Sequence, residues 1–167
     1  MDMEKVLARA EELLKPVSVE TSRPASYRVD AIVKPEKLVE AVTILTKEKW
    51  GYLIAITGLD KPAPLPEEGE KPGENHIEVL YHFGEGAAIG TLRVSLPYSN
   101  LVVPTVCNVV PAATLYEREI IEMYGITFEG TPNTDKLLLP DDWPAGVYPL
   151  RKEFTGFSKQ PAEGEGV

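Results

Sequence analysis

The chain has 167 residues, 43% of them hydrophobic, and a net charge of −9; that suits one domain with a core and excludes disorder throughout. A surface this acidic repels phosphate backbones, which argues against nucleic acid as a partner. No apolar run reaches the ~18–20 residues that span a bilayer, and MDMEKVLARAEELLK mixes charge into what a secretion signal keeps apolar, so the chain is expected in the cytoplasm, meeting a membrane only through partners.

Residues 2–15 read as a helix. Asp2 is a capping residue, Met3, Val6, Leu7, Ala10, Leu13 and Leu14 recur at helical spacing, and Pro16 ends the run. Residues 26–33 alternate as a strand, with Tyr27, Val29, Ala31 and Val33 on one face. Pro35 suits the first turn of a second helix striped by Leu38, Val39, Val42 and Leu45. Residues 51–57, GYLIAIT, are apolar on both faces, as a central covered strand is. Residues 60–74 are crowded with proline, glycine and glutamate and read as an exposed, mobile acidic loop. Two strands follow, Ile77, Val79, Tyr81 and Phe83 facing one way in the first and Ala88, Leu92, Val94 and Leu96 in the second, with a tight turn at Gly84 to Gly86. Helix, strand, helix and three strands predict an α+β domain over residues 1–125, a four-stranded, largely antiparallel sheet with helices on one face.

Few residues offer chemistry. The single cysteine, Cys107, excludes an intrachain disulfide or thiolate cluster, and its apolar neighbours make it a small buried hydrophobe. His76 and His82 share a strand face about 20 Å apart, too far to share an ion. There is no nucleophile elbow, phosphate loop or dinucleotide fingerprint. Asp141 and Asp142 are the one pair a hydrolase reading can use, but neighbours in a proline-flanked loop point apart. No active site is visible.

Residues 111–124, PAATLYEREIIEMY, give the best-defined helix, opened by Pro111 and closed by Gly125 in the left-handed position. Ala113, Tyr116, Ile120, Ile121, Met123 and Tyr124 cluster on one side; Arg118, Glu119 and Glu122 lie on the other, where Arg118 and Glu122 have the spacing of an ion pair. Glu117 falls inside the apolar arc. Either it snorkels at the arc's edge, or it meets an arginine or backbone donors from the tail or a partner. Beyond Gly125, prolines alternate with Phe128, Leu137, Leu138, Leu139, Trp143, Tyr148, Leu150 and Phe154 in no regular period. Residues 126–167 therefore read as an extended partner-binding arm and tail, anchored by Trp143, Tyr148, Leu150 and Phe154, with Arg151 and Lys152 meeting carboxylates.

LYEREIIEMYGITFEG (residues 115–130) and PLRKEF (residues 149–154) resemble the two signatures of the 30-kDa subunit family of respiratory complex I. ITGLD at residues 56–60 resembles that family's strand ending in aspartate. The resemblance implies a component of the hydrophilic arm that binds no cofactor itself and sits against the large catalytic subunit and the small iron–sulfur subunit, which carry the NiFe or iron–sulfur groups. It assigns Glu117, Arg118, Tyr124, Gly125, Phe128, Gly130, Pro149, Leu150, Arg151 and Phe154 as structural and docking residues. Two stretches depart from quinone-reducing members. Gly130 to Lys136 lacks the histidine and both arginines of G-H-P-D-L-R-R, and Gly146 to Glu153 lacks the histidine of G-H-P-L-R-K-D and is one residue longer. DDWPAGVYPLRK is more similar to the membrane-bound hydrogenase branch and its archaeal relatives, so an ion-pumping hydrogenase or related reductase is favoured over an NADH- or quinone-linked complex.

Overall fold

The computed structural model describes residues 2–63 and 73–156. Most of the expected acidic loop, residues 64–72, and the tail from residue 157 lie outside the described residues. Among the described residues the chain forms helices α1 (Met3–Leu14), α2 (Leu38–Lys47) and α3 (Ala113–Tyr124). Its strands are β1 (Ser18–Ala25), β2 (Arg28–Val33), β3 (Tyr52–Lys61), β4 (His76–Glu85), β5 (Ala88–Pro97), β6 (Val102–Pro104) and β7 (Thr127–Glu129). The main sheet has the order β1-β2-β5-β4-β3 and is antiparallel except for β2 against β5; β6 and β7 make a separate parallel pair.

The architecture is the expected α+β one, with corrections. The main sheet has five strands, not four. The extra one, β1, is an edge strand exposed along nearly its whole length, so it lacks the alternation that marks a half-buried strand. Strand β3 is the opposite edge, not a central strand. Its apolar run serves α3 on one face only, and Tyr52, Ile54 and Leu59 stay exposed. It also runs on to Lys61, so the loop begins later than residue 60. The chain does not leave the core at Gly125: Ile126 and Phe128 are buried, and β7 carries Phe128 into register with Val103.

Alternation puts the buried Val29, Ala31 and Val33 of β2, Ile77, Val79, Tyr81 and Phe83 of β4, and Leu92, Val94 and Leu96 of β5 on one face. Two glycines show that the helices cover this face. Gly90, opposite Phe83, lies under the Trp50 ring at the end of α2, and a Cβ there would come within 2.8 Å of it. Gly58, opposite Val79, lies under the Tyr124 ring of α3, where a Cβ would come within 2.4 Å. Tyr116 and Tyr124 donate hydroxyl hydrogen bonds to the carbonyls of Ile54 (3.0 Å) and Gly58 (2.7 Å), so α3 caps part of the β3 edge.

The opposite face carries a ladder of charges across four strands. Arg28 bonds Asp30 (2.7 Å), Arg93 bridges Asp30 (2.9 Å) and Glu78 (2.8 Å), and Lys61 reaches Glu78 (2.6 Å). Burial pushes the Glu78 carboxyl up, but the hydrogen bonds from Arg93 and Lys61 overcome it and hold it below the usual carboxylate range. A carboxyl depressed in the folded state contributes stability above its unfolded value, and that contribution is lost as pH falls through the folded one. Glu78→Gln is therefore expected to cost about 1–2 kcal/mol at neutral pH, discounted for the solvent-open part of the network. The deficit should shrink as pH falls below about 4. Urea midpoints of both proteins across that range measure it, and a pH-independent deficit would remove the network from the account.

Candidate docking site around the last helix

Helix α3 begins at Ala113, a short loop after Cys107, and Glu117 on its second turn is fully buried, 0% exposed. The edge reading fails. The carboxylate accepts from the Thr105 hydroxyl (2.7 and 2.9 Å to its two oxygens), the Val106 N–H (2.9 Å) and the Cys107 thiol (3.3 Å). The Thr105 hydroxyl in turn accepts the Cys107 N–H (3.1 Å). One donor is a backbone N–H, as one reading expects, but all three come from the loop before the helix and not from the tail or a partner, and none is an arginine. Neutral donors must meet the whole solvation need of this group, which fixes the loop against the helix. Burial pushes the Cys107 thiol up, and Glu117 beside it adds to the shift. Cys107 is thus a protonated donor to the carboxylate, more than a filler of space. Burial, then Glu117 and Cys107, also push the Tyr81 hydroxyl well above its usual range.

The outer side of α3 holds the arm. Arg118 donates to the carbonyls of Asp135 (Nε, 2.8 Å) and Lys136 (Nη2, 2.8 Å). Glu122 accepts the N–H groups of Leu137 (2.7 Å) and Leu138 (2.8 Å). The expected Arg118–Glu122 pair is replaced by a four-bond clamp on the backbone of four consecutive arm residues. Spacing along a helix reveals only neighbours on that helix, and the competing partner lies across an aperiodic loop. Lys136 closes the next turn by donating to the carbonyls of Pro140 (2.9 Å) and Asp141 (2.8 Å). Asp141 and Asp142 are exposed and make no enclosed acid pair.

The C-terminal end of α3 receives the second motif. Gly125 takes φ +70°, and its N–H bonds the Ile121 carbonyl (2.9 Å). The Leu150 N–H donates to the Met123 carbonyl (3.2 Å), and Arg151 Nε donates to that of Tyr124 (2.8 Å). A cation and two N–H groups thus satisfy carbonyls that a helix end leaves open. The Arg151 guanidinium stacks on Tyr148 (4.4 Å) and Tyr98 (5.1 Å). Asp60, at the end of the strand ITGLD, accepts from the Tyr98 hydroxyl (2.7 Å) and the Lys152 N–H (2.7 Å). Burial and the bond to Asp60 push the Tyr98 hydroxyl up to about 12. Trp143 and Phe154 are half-buried, their ring centroids 6.0 Å apart, and Trp143 Nε1 donates to the Val147 carbonyl (2.8 Å).

The residues singled out from the sequence separate by position. Glu117, Tyr124 and Phe128 face inward. Arg118 grips the arm. Gly125 and Gly130 supply positive φ, at +70° and +81°. Tyr148 and Arg151 pack at the helix end, Pro149 is half-buried, and Lys152 is exposed and contributes its backbone N–H. Leu150 (52% exposed) turns outward with Leu137 (38%) and Leu138 (59%). Asp60, Tyr98, Thr105 and Glu122 were not among the assigned residues. The first carried a signal, as the acidic end of an apolar strand; the others act through contacts across loops.

The chain thus has a one-sided α+β sheet whose last helix carries a long aperiodic arm. The chain belongs to the family described as respiratory-chain NADH dehydrogenase, 30 Kd subunit, whose model matches residues 31–160. It is 36% identical over 126 residues to the C/D subunit of NADH-quinone oxidoreductase from Serratia proteamaculans, covering 73% of this chain and 20% of that protein. It is 37% identical over 92 residues to the membrane-bound hydrogenase subunit beta of Pyrococcus furiosus, covering 55% of this chain and 53% of that one. A solved chain of the membrane-bound sulfane sulfur reductase, an archaeal respiratory membrane complex, superposes with a TM-score of 0.70 at 26% identity, over 92% of this chain and 86% of that chain. The chain thus spans about a fifth of the first relative and half of the second. Among the described residues no helix is long and apolar enough to cross a membrane.

Proposed function

We propose that this chain is a non-catalytic accessory subunit in the hydrophilic arm of a membrane-bound hydrogenase-type or related complex I-like redox complex. It braces the large catalytic subunit and the small iron–sulfur subunit, and so supports electron transfer coupled to ion translocation. NiFe and iron–sulfur groups belong to those partners, and this chain holds none. It sits at the cytoplasmic face of the membrane through them. The observation that carries the reading is the arm: held by α3 at residues 135–138 and again at residues 150 and 151, and by Asp60 of β3 at residue 152, it still presents Leu137, Leu138 and Leu150 at 38%, 59% and 52% exposure. Apolar side chains on a fixed backbone are what a partner pocket takes up at low entropic cost.

The triple variant Leu137→Asp, Leu138→Asp, Leu150→Asp tests it. These side chains are solvent-facing, so the melting temperature is expected to stay within a few degrees. Co-purification of the large subunit should fall at least tenfold, since each buried leucine is worth about 1.5–3 kcal/mol. Undiminished co-purification sinks the docking reading. A second reading, the 30-kDa subunit of an NADH- or quinone-linked complex I, is supported by the likeness to the NADH-quinone oxidoreductase protein. Nickel in the purified assembly selects the hydrogenase-type host, and its absence together with quinone reduction selects the other.

A further inference from the structure

The clamp on the arm says what kind of surface the arm fits. Peptide segments bind partners in two common ways: by adding a strand to a sheet edge, which uses their N–H and C=O groups, or by seating side chains in a groove. In residues 135–138 the first way is already closed. The Asp135 and Lys136 carbonyls are taken by Arg118, and the Leu137 and Leu138 N–H groups by Glu122, all at 2.7–2.8 Å. The same bonds favour the second way. A backbone entering an apolar groove strands its polar groups at a cost of about 1–3 kcal/mol each unless they are bonded beforehand. Here four of the eight such groups are bonded beforehand by charged groups of the chain's own helix, and the Asp135 N–H by Asn133, while Leu137 and Leu138 remain exposed.

We infer that Arg118 and Glu122 are positioning residues that hold the backbone of Asp135–Leu138 so that Leu137 and Leu138 form a preformed apolar ridge, fitted to an apolar, side-chain-lined groove of the partner protein and not to a sheet edge. The inference rests on the docking reading and specifies the partner's surface. Pre-organisation removes the ordering cost from the binding step, so loss of the clamp should appear in the association rate more than in the fold. Salt should matter little to a contact whose centre is apolar.

The test uses the full chain and its co-expressed large subunit. In the free wild-type chain the Leu137 and Leu138 amides should exchange with deuterium at least about tenfold more slowly than open backbone. Glu122→Gln leaves one oxygen for two N–H groups and should lose that protection. Its association rate should fall about tenfold, with the melting temperature within a few degrees of wild type. Affinity should change less than about threefold between 0.1 and 1 M salt. Unprotected amides in the wild type, a Glu122→Gln variant that associates at the wild-type rate, or a steep salt dependence would each overturn the inference. Leu138→Asp separates the two levels. Lost binding with the amides still protected supports the ridge. If that variant loses binding while Glu122→Gln associates normally, only the clamp's role fails. If it binds as wild type does, the docking reading fails with it.

Discussion

Glu117→Ala is expected to lower the stability of the chain by about 3–5 kcal/mol, which for a domain of this size is a fall of roughly 6–20 °C in melting temperature. The carboxylate is the shared acceptor for the Thr105 hydroxyl, the Val106 N–H and the Cys107 thiol. Alanine strands these donors in a region closed to water and leaves a cavity where the side chain stood. Glu117→Gln keeps one carbonyl oxygen for the Val106 N–H or the Thr105 hydroxyl, while its amide needs an acceptor in turn. It should cost less, about 1–2 kcal/mol. Thermal melts and urea titrations of the three proteins settle the order. An alanine variant within about 1 kcal/mol of wild type would mean that the buried acid is as costly as its bonds are useful, an outcome known for buried charges elsewhere.

Glu117 also shows what the sequence makes legible. A carboxylate inside an apolar arc stands out because helical periodicity places it there without reference to anything else. Its partners do not stand out, because Thr105–Cys107 has no period and reaches the helix only in three dimensions. The same division runs through the fold. The helices, β2, β4 and β5 each turn an apolar face to the core, and that alternation of residue type identifies them, although β4 is also buried at Glu78 and Leu80 on its other face. Strand β1 buries almost nothing and so writes nothing. Strand β3 shows the converse failure. Its apolar residues serve α3 on one face and leave others in solvent, and a sequence cannot separate that from a strand covered on both sides. Arg118 and Glu122 carried the pattern of a weak surface pair and instead bind the backbone of residues 135–138. The family signature did pick out the residues around the helix end. It named them together as structural and docking residues, and the geometry divides them into those that pack into the platform and those that face outward.

Helix α3 is that platform. It fastens the loop at Thr105–Cys107 through Glu117, the sheet edge through Tyr116 and Tyr124, and the arm through Arg118 and Glu122. Both parts of the arm that reach the surface are therefore referred to one rigid element. This is how apolar side chains stay outward without the chain collapsing over them.

Gly125→Ala should disturb this arrangement strongly. Alanine at φ +70° costs about 1 kcal/mol relative to glycine. The new Cβ would also lie 2.3 Å from the Tyr148 ring, far inside contact distance. The ring must move, and it lies beneath the Arg151 guanidinium at 4.4 Å. Moving it loosens the Arg151 bond to the Tyr124 carbonyl and, through the adjoining residues, the Lys152 bond to Asp60. The expected loss is about 2–4 kcal/mol in stability, combining backbone strain with overpacking, together with at least tenfold weaker co-purification of the partner. A double-mutant cycle with Tyr148→Ala separates the causes. With the ring gone the clash is gone, so Gly125→Ala in that background should cost only about 1 kcal/mol, the strain of the left-handed position. The two substitutions should therefore be strongly non-additive. If their costs simply add, the contact between Gly125 and Tyr148 does not link the helix cap to the arm, and the placement of the PLRKEF motif must rest on the bonds of Leu150, Arg151 and Lys152 to Met123, Tyr124 and Asp60.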